Sequence, residues 1–109
     1  MTRFRADDRI LMLAIPSAIE LAAISRVLMR GVIVALGTSD AIDSARESMR
    51  EFENVMFLDA RPDQIPWRDG YFTKILVPPH IDRILRYASA ELHRVLAPGG
   101  EIVSTALEA

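Results

Sequence analysis

Four short apolar runs fix most of what this chain can become. They are Arg9 to Ile15 (RILMLAI), Val32 to Leu36 (VIVAL), Val55 to Leu58 (VMFL) and Thr73 to Val77 (TKILV). Continuous apolar runs of about 4–8 residues, bounded by turn residues, read as strands buried on both faces, the habit of a parallel sheet. Parallel neighbours need long crossovers, and the intervening segments supply them. Pro16 ends the first run, and Ser17-Ala18-Ile19-Glu20 then matches a capping box, with Ser17 accepting from the third helical N–H and Glu20 reaching back to the Ser17 N–H. The helix is expected to run to about Met29, with Gly31 as its stop. Its many apolar positions (Ile19, Ala22, Ala23, Val27, Met29) predict a well-buried helix.

Thr38, Ser39 and Asp40 are cap candidates for a second helix reaching about Phe52, with Asp43–Arg46 and Glu47–Arg50 paired on its outer side. A loop with two prolines and a glycine, Asp59 to Tyr71, precedes the fourth strand. After it, Ile81, Ile84, Leu85, Ala88, Leu92, Val95 and Leu96 follow helical spacing. Pro98-Gly99-Gly100 is expected to turn the chain into a last strand, Glu101 to Thr105. This alternation predicts an α/β fold with right-handed crossovers, in a single domain over residues 1–109.

Composition narrows the function classes. A net charge of -2 argues against a nucleic-acid surface. With no cysteine, disulfides, thiolate metal sites and a cysteine nucleophile are excluded. No His, Asp and Glu spacing suggests a metal site. The start, MTRFRADDRI, is not a signal peptide, and charges and Pro16 interrupt every apolar stretch that could cross a membrane, so a cytoplasmic protein is expected.

Two segments carry a family resemblance. Glu91, Arg94, Val95, Leu96, Pro98, Gly99 and Gly100 fit an E-x-x-R-V-L-x-P-G-G pattern. Asp59-Ala60, Ile65-Pro66-Trp67, Asp69-Gly70, Phe72 and Ile75 fit a D-A…L-P-F-x-D-G-x-F-D-x-V pattern, with Thr73 where an aspartate is usual. In both, the chain resembles the S-adenosylmethionine-dependent methyltransferases over nearly its whole length, about Arg9 to Val103. The resemblance implies a three-layer α/β/α Rossmann-like core with a five-stranded, mainly parallel sheet in the order 3-2-1-4-5. The family fold continues past its fifth strand into a helix and a hairpin. The sequence stops at Ala109, so the resemblance implies a sheet without that hairpin. The edge from Glu101 to Thr105 would then be apolar and open, and pairing with a second copy as a homodimer is expected there.

The resemblance also assigns a site. Asp59 corresponds to the residue that accepts from the adenine amino group, and Ala60 to the neighbour that offers a backbone N–H. The family's acid-then-G-x-G-x-G loop falls on Met12, Ala14, Pro16 and Ala18, and its ribose-binding acid on Leu36. Glycines serve in such loops because backbone must approach the ligand closely, and Pro16 adds a ring while removing a donor. Glu20 sets a carboxylate where a ligand's anionic group would otherwise be favoured. His80, after Pro78-Pro79 at the end of the fourth strand, is the candidate general base.

Two functions stay open on these residues. One is methyl transfer from weakly held S-adenosylmethionine to a small molecule, with Asp59, Ala60 and His80 in the site. The other is a non-catalytic dimerisation or partner-binding module that has lost its cofactor. A receiver-like domain phosphorylated on Asp59 is disfavoured, because Ile15-Pro16 stand where an acidic pair would hold magnesium.

Overall fold

The computed structural model describes residues 4–78 and 81–104. The elements run β1 (Arg9–Met12), α1 (Ala18–Val27), β2 (Val32–Gly37), α2 (Ser39–Met49), β3 (Val55–Asp59), β4 (Phe72–Val77), α3 (Ile81–Val95) and β5 (Leu96–Ser104). The strands form one five-stranded sheet in the order β3-β2-β1-β4-β5, and every neighbouring pair is parallel. The expected sheet order is therefore the observed one.

Alternation along the strands sorts the core into two layers. Ile10, Met12, Ile33 and Ala35 face one way and pack with Leu21 and Leu28 beside α1 and with Ile42 and Met49 of α2. Leu11, Leu13, Val34, Leu36, Ile75 and Val77 face the other way and pack with Ala88, Leu92 and Val95 of α3. Helices thus cover both faces, which is why these strands read as unbroken apolar runs.

Several boundaries differ from the sequence expectation, each for a local reason. β1 ends at Met12 rather than Ile15, although the Leu13 N–H still donates to the Leu76 carbonyl at 3.1 Å. α1 ends at Val27, where Asn54 Nδ2 donates to the carbonyls of Ser25 (3.0 Å) and Leu28 (2.9 Å) and so closes the helix from a distant loop. Gly31 is not a left-handed cap; a Cβ there would lie 2.1 Å from the Asp8 carbonyl oxygen, so a side chain is excluded by contact. α1 is also less buried than expected. Only Leu21 and Ser25 within it are buried, while Ile19 is 83% exposed and Val27 45%. The capping box is present in altered form: the Glu20 N–H donates to Ser17 Oγ at 3.2 Å, and that hydroxyl donates to Glu20 Oε1 at 3.3 Å. Thr38 caps α2 by accepting from the Ala41 N–H, and of the two expected α2 pairs Glu47–Arg50 forms, at 3.3 Å.

The Pro98-Gly99-Gly100 segment lies inside β5 rather than before it. Phe72 pairs with Leu96 and Lys74 with Glu101, so Thr73 faces the whole of Ala97 to Gly100, a bulge in β5. Gly99 makes this possible with a φ of +80°, a region where a Cβ is strained.

Two polar clusters pin the chain. The Arg94 guanidinium donates to Glu91 Oε1 and Oε2 (2.8 and 2.9 Å), to Asp69 Oδ1 (2.6 Å) and to the carbonyls of Ile65 (2.7 Å) and Trp67 (2.8 Å). Glu91 also accepts the buried Ile65 N–H at 2.7 Å. The β3–β4 loop is thereby clamped to α3. The Arg94 bonds, then the Ile65 N–H, hold the Glu91 carboxyl below its usual range against the opposing effect of burial, and Glu91 with Asp69 raises Arg94. In the second cluster, buried Asp8 accepts from the Arg5 N–H (2.7 Å) and the Thr73 hydroxyl (2.8 Å), and pairs with Lys74 at 3.3 Å. Burial alone would raise the Asp8 carboxyl; the three donors together outweigh it and lower it.

Candidate functional site at the carboxyl ends of the strands

In an open parallel sheet, ligands bind beyond the carboxyl ends of the strands, where the strand order reverses. Here that point lies at β1, flanked by β2 and β4, with α1 leaving toward one face and α3 covering the other. Four segments converge on it: residues 13–17 after β1, Gly37-Thr38 at the end of β2, Asp59-Ala60 at the end of β3 and Pro78 after β4.

The loop after β1 is built of side chains rather than bare backbone. Ala14 is exposed, Ile15 and Pro16 are half-buried, and Ala18 opens α1. The first turn of α1 is already satisfied by Ser17 and carries the Glu20 carboxylate. Ile15 folds over the end of β2. A Cβ built on Gly37 would lie 2.6 Å from Ile15 Cδ1 and 3.1 Å from Ile15 Cγ1, so the isoleucine occupies the space that a side chain at Gly37 would enter. A glycine within a strand often marks such a close approach.

The neighbouring positions complete the rim. Leu36 is 1% exposed and belongs to the α3-side core, so its side chain points away from the loops. The last residue of β2 is Gly37, which pairs in register with Asp59 at the end of β3. Asp59 is exposed, and its Oδ2 accepts the Ser39 hydroxyl at 2.6 Å. Ala60 is half-buried against the α3-side core. His80 lies outside the described residues. The structure therefore gathers Ile15, Gly37, Ser39 and Asp59 at one rim and leaves Leu36 beneath it. Sequence reasoning passed over Ile15 and Gly37; the signal was the glycine that ends an otherwise apolar strand in VIVALG.

Behind Ile15, between α1 and α2, lies a cleft of about 290 Å³. Ile15, Pro16 and Ala18 form one wall, and Ala41, Ala45 and Met49 the other. Its lining is largely apolar and holds no charged residue. Among the described residues there is no group of His, Asp and Glu able to hold a metal ion, and no helix long and apolar enough to cross a membrane.

Comparison with solved structures places the fold. The YcgJ protein of Bacillus subtilis superposes with a TM-score of 0.78 at 23% identity, covering 92% of this chain and 44% of its own. A SAM-dependent methyltransferase from Aquifex aeolicus gives 0.74 at 19%, covering 86% and 53%. The geranyl diphosphate C-methyltransferase of Streptomyces coelicolor A3(2), solved with S-adenosyl-L-homocysteine, gives 0.78 at 16%, covering 92% and 39%. No family model matches, and no curated protein matches. This chain has the Rossmann-like fold of the S-adenosylmethionine-dependent methyltransferases, and it spans about half the length of the structures it resembles.

A methyl donor held as the resemblance implies would lie across the ends of β1, β2 and β3, and the residues here do not fit one held in that manner. Ile15 covers Gly37, the apolar Leu36 stands where the resemblance implies the ribose acid, and Pro16 cannot donate from the loop. Asp59 alone presents the expected chemistry, and its carboxylate already holds Ser39.

Proposed function

We propose that this chain is a methyltransferase-fold module that does not hold S-adenosylmethionine in the strand-end cradle and works by contact with another protein. The observation that supports it is Ile15 seated on Gly37. The buried, apolar Leu36 stands where the resemblance implies a ribose-binding carboxylate, and each lost or blocked polar contact costs about 1–3 kcal/mol. Three such losses move a micromolar ligand to about millimolar or weaker.

The partner surface this reading favours is the outer face of α1. Ile19, Val27 and the following Met29 are exposed on or just after this helix. Exposed apolar side chains mark an interaction surface where they form one contiguous patch. Pairing of a second copy along the β5 edge from Glu101 to Thr105 is the alternative; Pro98, which lacks an N–H, and the bulge at Gly99 shorten the regular part of β5 to the residues that follow them.

Calorimetric titration with S-adenosylmethionine and S-adenosylhomocysteine tests the proposal. The expected result is no heat of binding up to about millimolar ligand. Micromolar binding that Asp59→Ala abolishes would overturn it, and would bring back the catalytic reading with Asp59 and Ala60 at the donor and His80 as candidate base for a small-molecule acceptor.

A further inference from the structure

The edge of the sheet opposite the strand-end site carries a separate arrangement of charge. All strands run parallel, so the residues that start them share one edge; Arg9 opens β1 and Tyr71 immediately precedes β4. The Arg9 guanidinium lies over the Tyr71 ring, 5.1 Å from its centroid, and its Nε donates to the Tyr71 carbonyl at 2.5 Å. The Arg68 guanidinium lies over the same ring at 4.7 Å. The ring is held in turn, edge-on to Phe72 at 5.0 Å and tilted against Trp67 at 5.6 Å. Two cations thus share one fixed aromatic platform.

The attraction of a ring for a cation is real but modest, about 0.5–1 kcal/mol at exposed sites, and it leaves the positive charge uncancelled. The carboxylates of this corner have cations of their own: Asp8 and Glu101 pair with Lys74, and Asp69 and Glu91 with Arg94. Among the described residues, no carboxylate lies within ion-pair distance of Arg9 or Arg68. In a chain of net charge -2, two guanidiniums held against one ring without an acidic partner leave positive charge that an anion from outside can meet.

We propose that Arg9 and Arg68, set on Tyr71, form a binding site for a phosphate group, carried by a small phosphomonoester or present as the free ion. Guanidiniums offer planar forks of N–H donors that match the several oxygens of phosphate, and two of them suit a dianion. Arg68 is exposed and Arg9 half-buried, so the site is open to solvent on one side and anchored on the other.

The test is a titration of the ¹⁵N-labelled chain, following amide shifts, with inorganic phosphate and separately with glycerol phosphate, at ionic strength held constant with sodium chloride. The expected result is saturable shifts centred on residues 68–73 and Arg9, weakened about tenfold by Arg68→Ala and only in part restored by Arg68→Lys. Tighter binding of glycerol phosphate would identify a phosphomonoester, and equal or weaker binding the free ion. The proposal is overturned if no saturable shift occurs, if chloride alone reproduces the shifts, or if Arg68→Ala, with its spectrum otherwise folded, binds phosphate as well as the parent chain does.

Discussion

Substitution of Gly37 by alanine reads directly whether Ile15 closes the end of β2. The added Cβ would lie 2.6 Å from Ile15 Cδ1 and 3.1 Å from Cγ1, with Ile42 Cγ1 at an ordinary 3.7 Å. Carbon atoms prefer about 3.5–4.0 Å, so nearly an ångström of relief is needed. The obstructing atom is the tip of a side chain, not backbone, which sets the overpacking cost at the lower end of its range, about 1–2 kcal/mol. An opposing effect comes from the unfolded chain, which alanine restricts by about 0.4–1 kcal/mol relative to glycine. Gly37 is not among the positive-φ glycines, so alanine takes its backbone conformation without strain.

The expected net loss for Gly37→Ala is therefore about 0.5–1 kcal/mol. In an Ile15→Ala background the obstruction is gone and only the unfolded-state effect remains, so the same substitution should stabilise by about 0.4–1 kcal/mol. The sign reverses, and the coupling between the two positions is about 1–2 kcal/mol. Urea unfolding of the four chains measures it, with midpoint shifts of roughly 0.2–0.5 M in opposite directions. Equal shifts in both backgrounds would refute the contact, and the donor-free reading would lose the observation it stands on.

Three further outcomes follow from the same geometry. Glu91→Ala removes the acceptor of the buried Ile65 N–H and two of the five Arg94 hydrogen bonds; thermal or urea unfolding should show a loss of about 1–3 kcal/mol, with Glu91→Gln costing less. At Gly99, where φ is +80°, alanine should cost about 1 kcal/mol and asparagine less, because asparagine tolerates the left-handed region. Asp8 and Glu91 both have folded-state carboxyls below their usual range. A depressed carboxyl contributes stability that is present above its unfolded pKa of about 4 and is lost as pH falls through the lower folded value. Urea midpoints should hold level from neutral pH down to about 5 and fall below about 4; the Asp8→Asn, Glu91→Gln double variant should start lower and fall less steeply.

The first four strands were legible because burial on both faces leaves an unmistakable apolar run, whereas their order came from the family resemblance. The fate of α1 was not legible. Its composition is apolar, but only Leu21, Ser25 and the half-buried Ala22 and Ile24 turn inward, and composition says nothing about which side of a helix finds a neighbour. Gly31 was misread for a related reason: a glycine after a helix suggests a left-handed cap, and only the fold reveals the Asp8 carbonyl pressed against it. At the site, the resemblance points to Leu36, and the structure sets its side chain in the core with Gly37 beside it at the rim. Asp59 was recoverable because it is polar at the end of a strand. Ile15 was not, since one more apolar residue after an apolar strand carries no mark of what it covers.

The residues that most resemble a methyltransferase turn out to have structural employment here. Glu91 and Arg94 clamp the β3–β4 loop, Asp69 completes that clamp, Trp67 packs on Tyr71 and Phe72, and Gly99 shapes the β5 bulge. None of these contacts requires a ligand, and each would be needed by any sequence that folds this loop against this helix. The glycine loop is different in kind: its bare backbone serves the approach of a cofactor and adds nothing to packing. On the proposed reading, a chain can match the structural motifs closely and still cover Gly37 with Ile15 at no loss to its core, since an isoleucine there buries apolar surface that an open cradle would leave to water. The two halves of the resemblance thus report on different properties, the motif at residues 91–100 on the fold and the segment at residues 12–18 on the donor, and for function it is the second that weighs more.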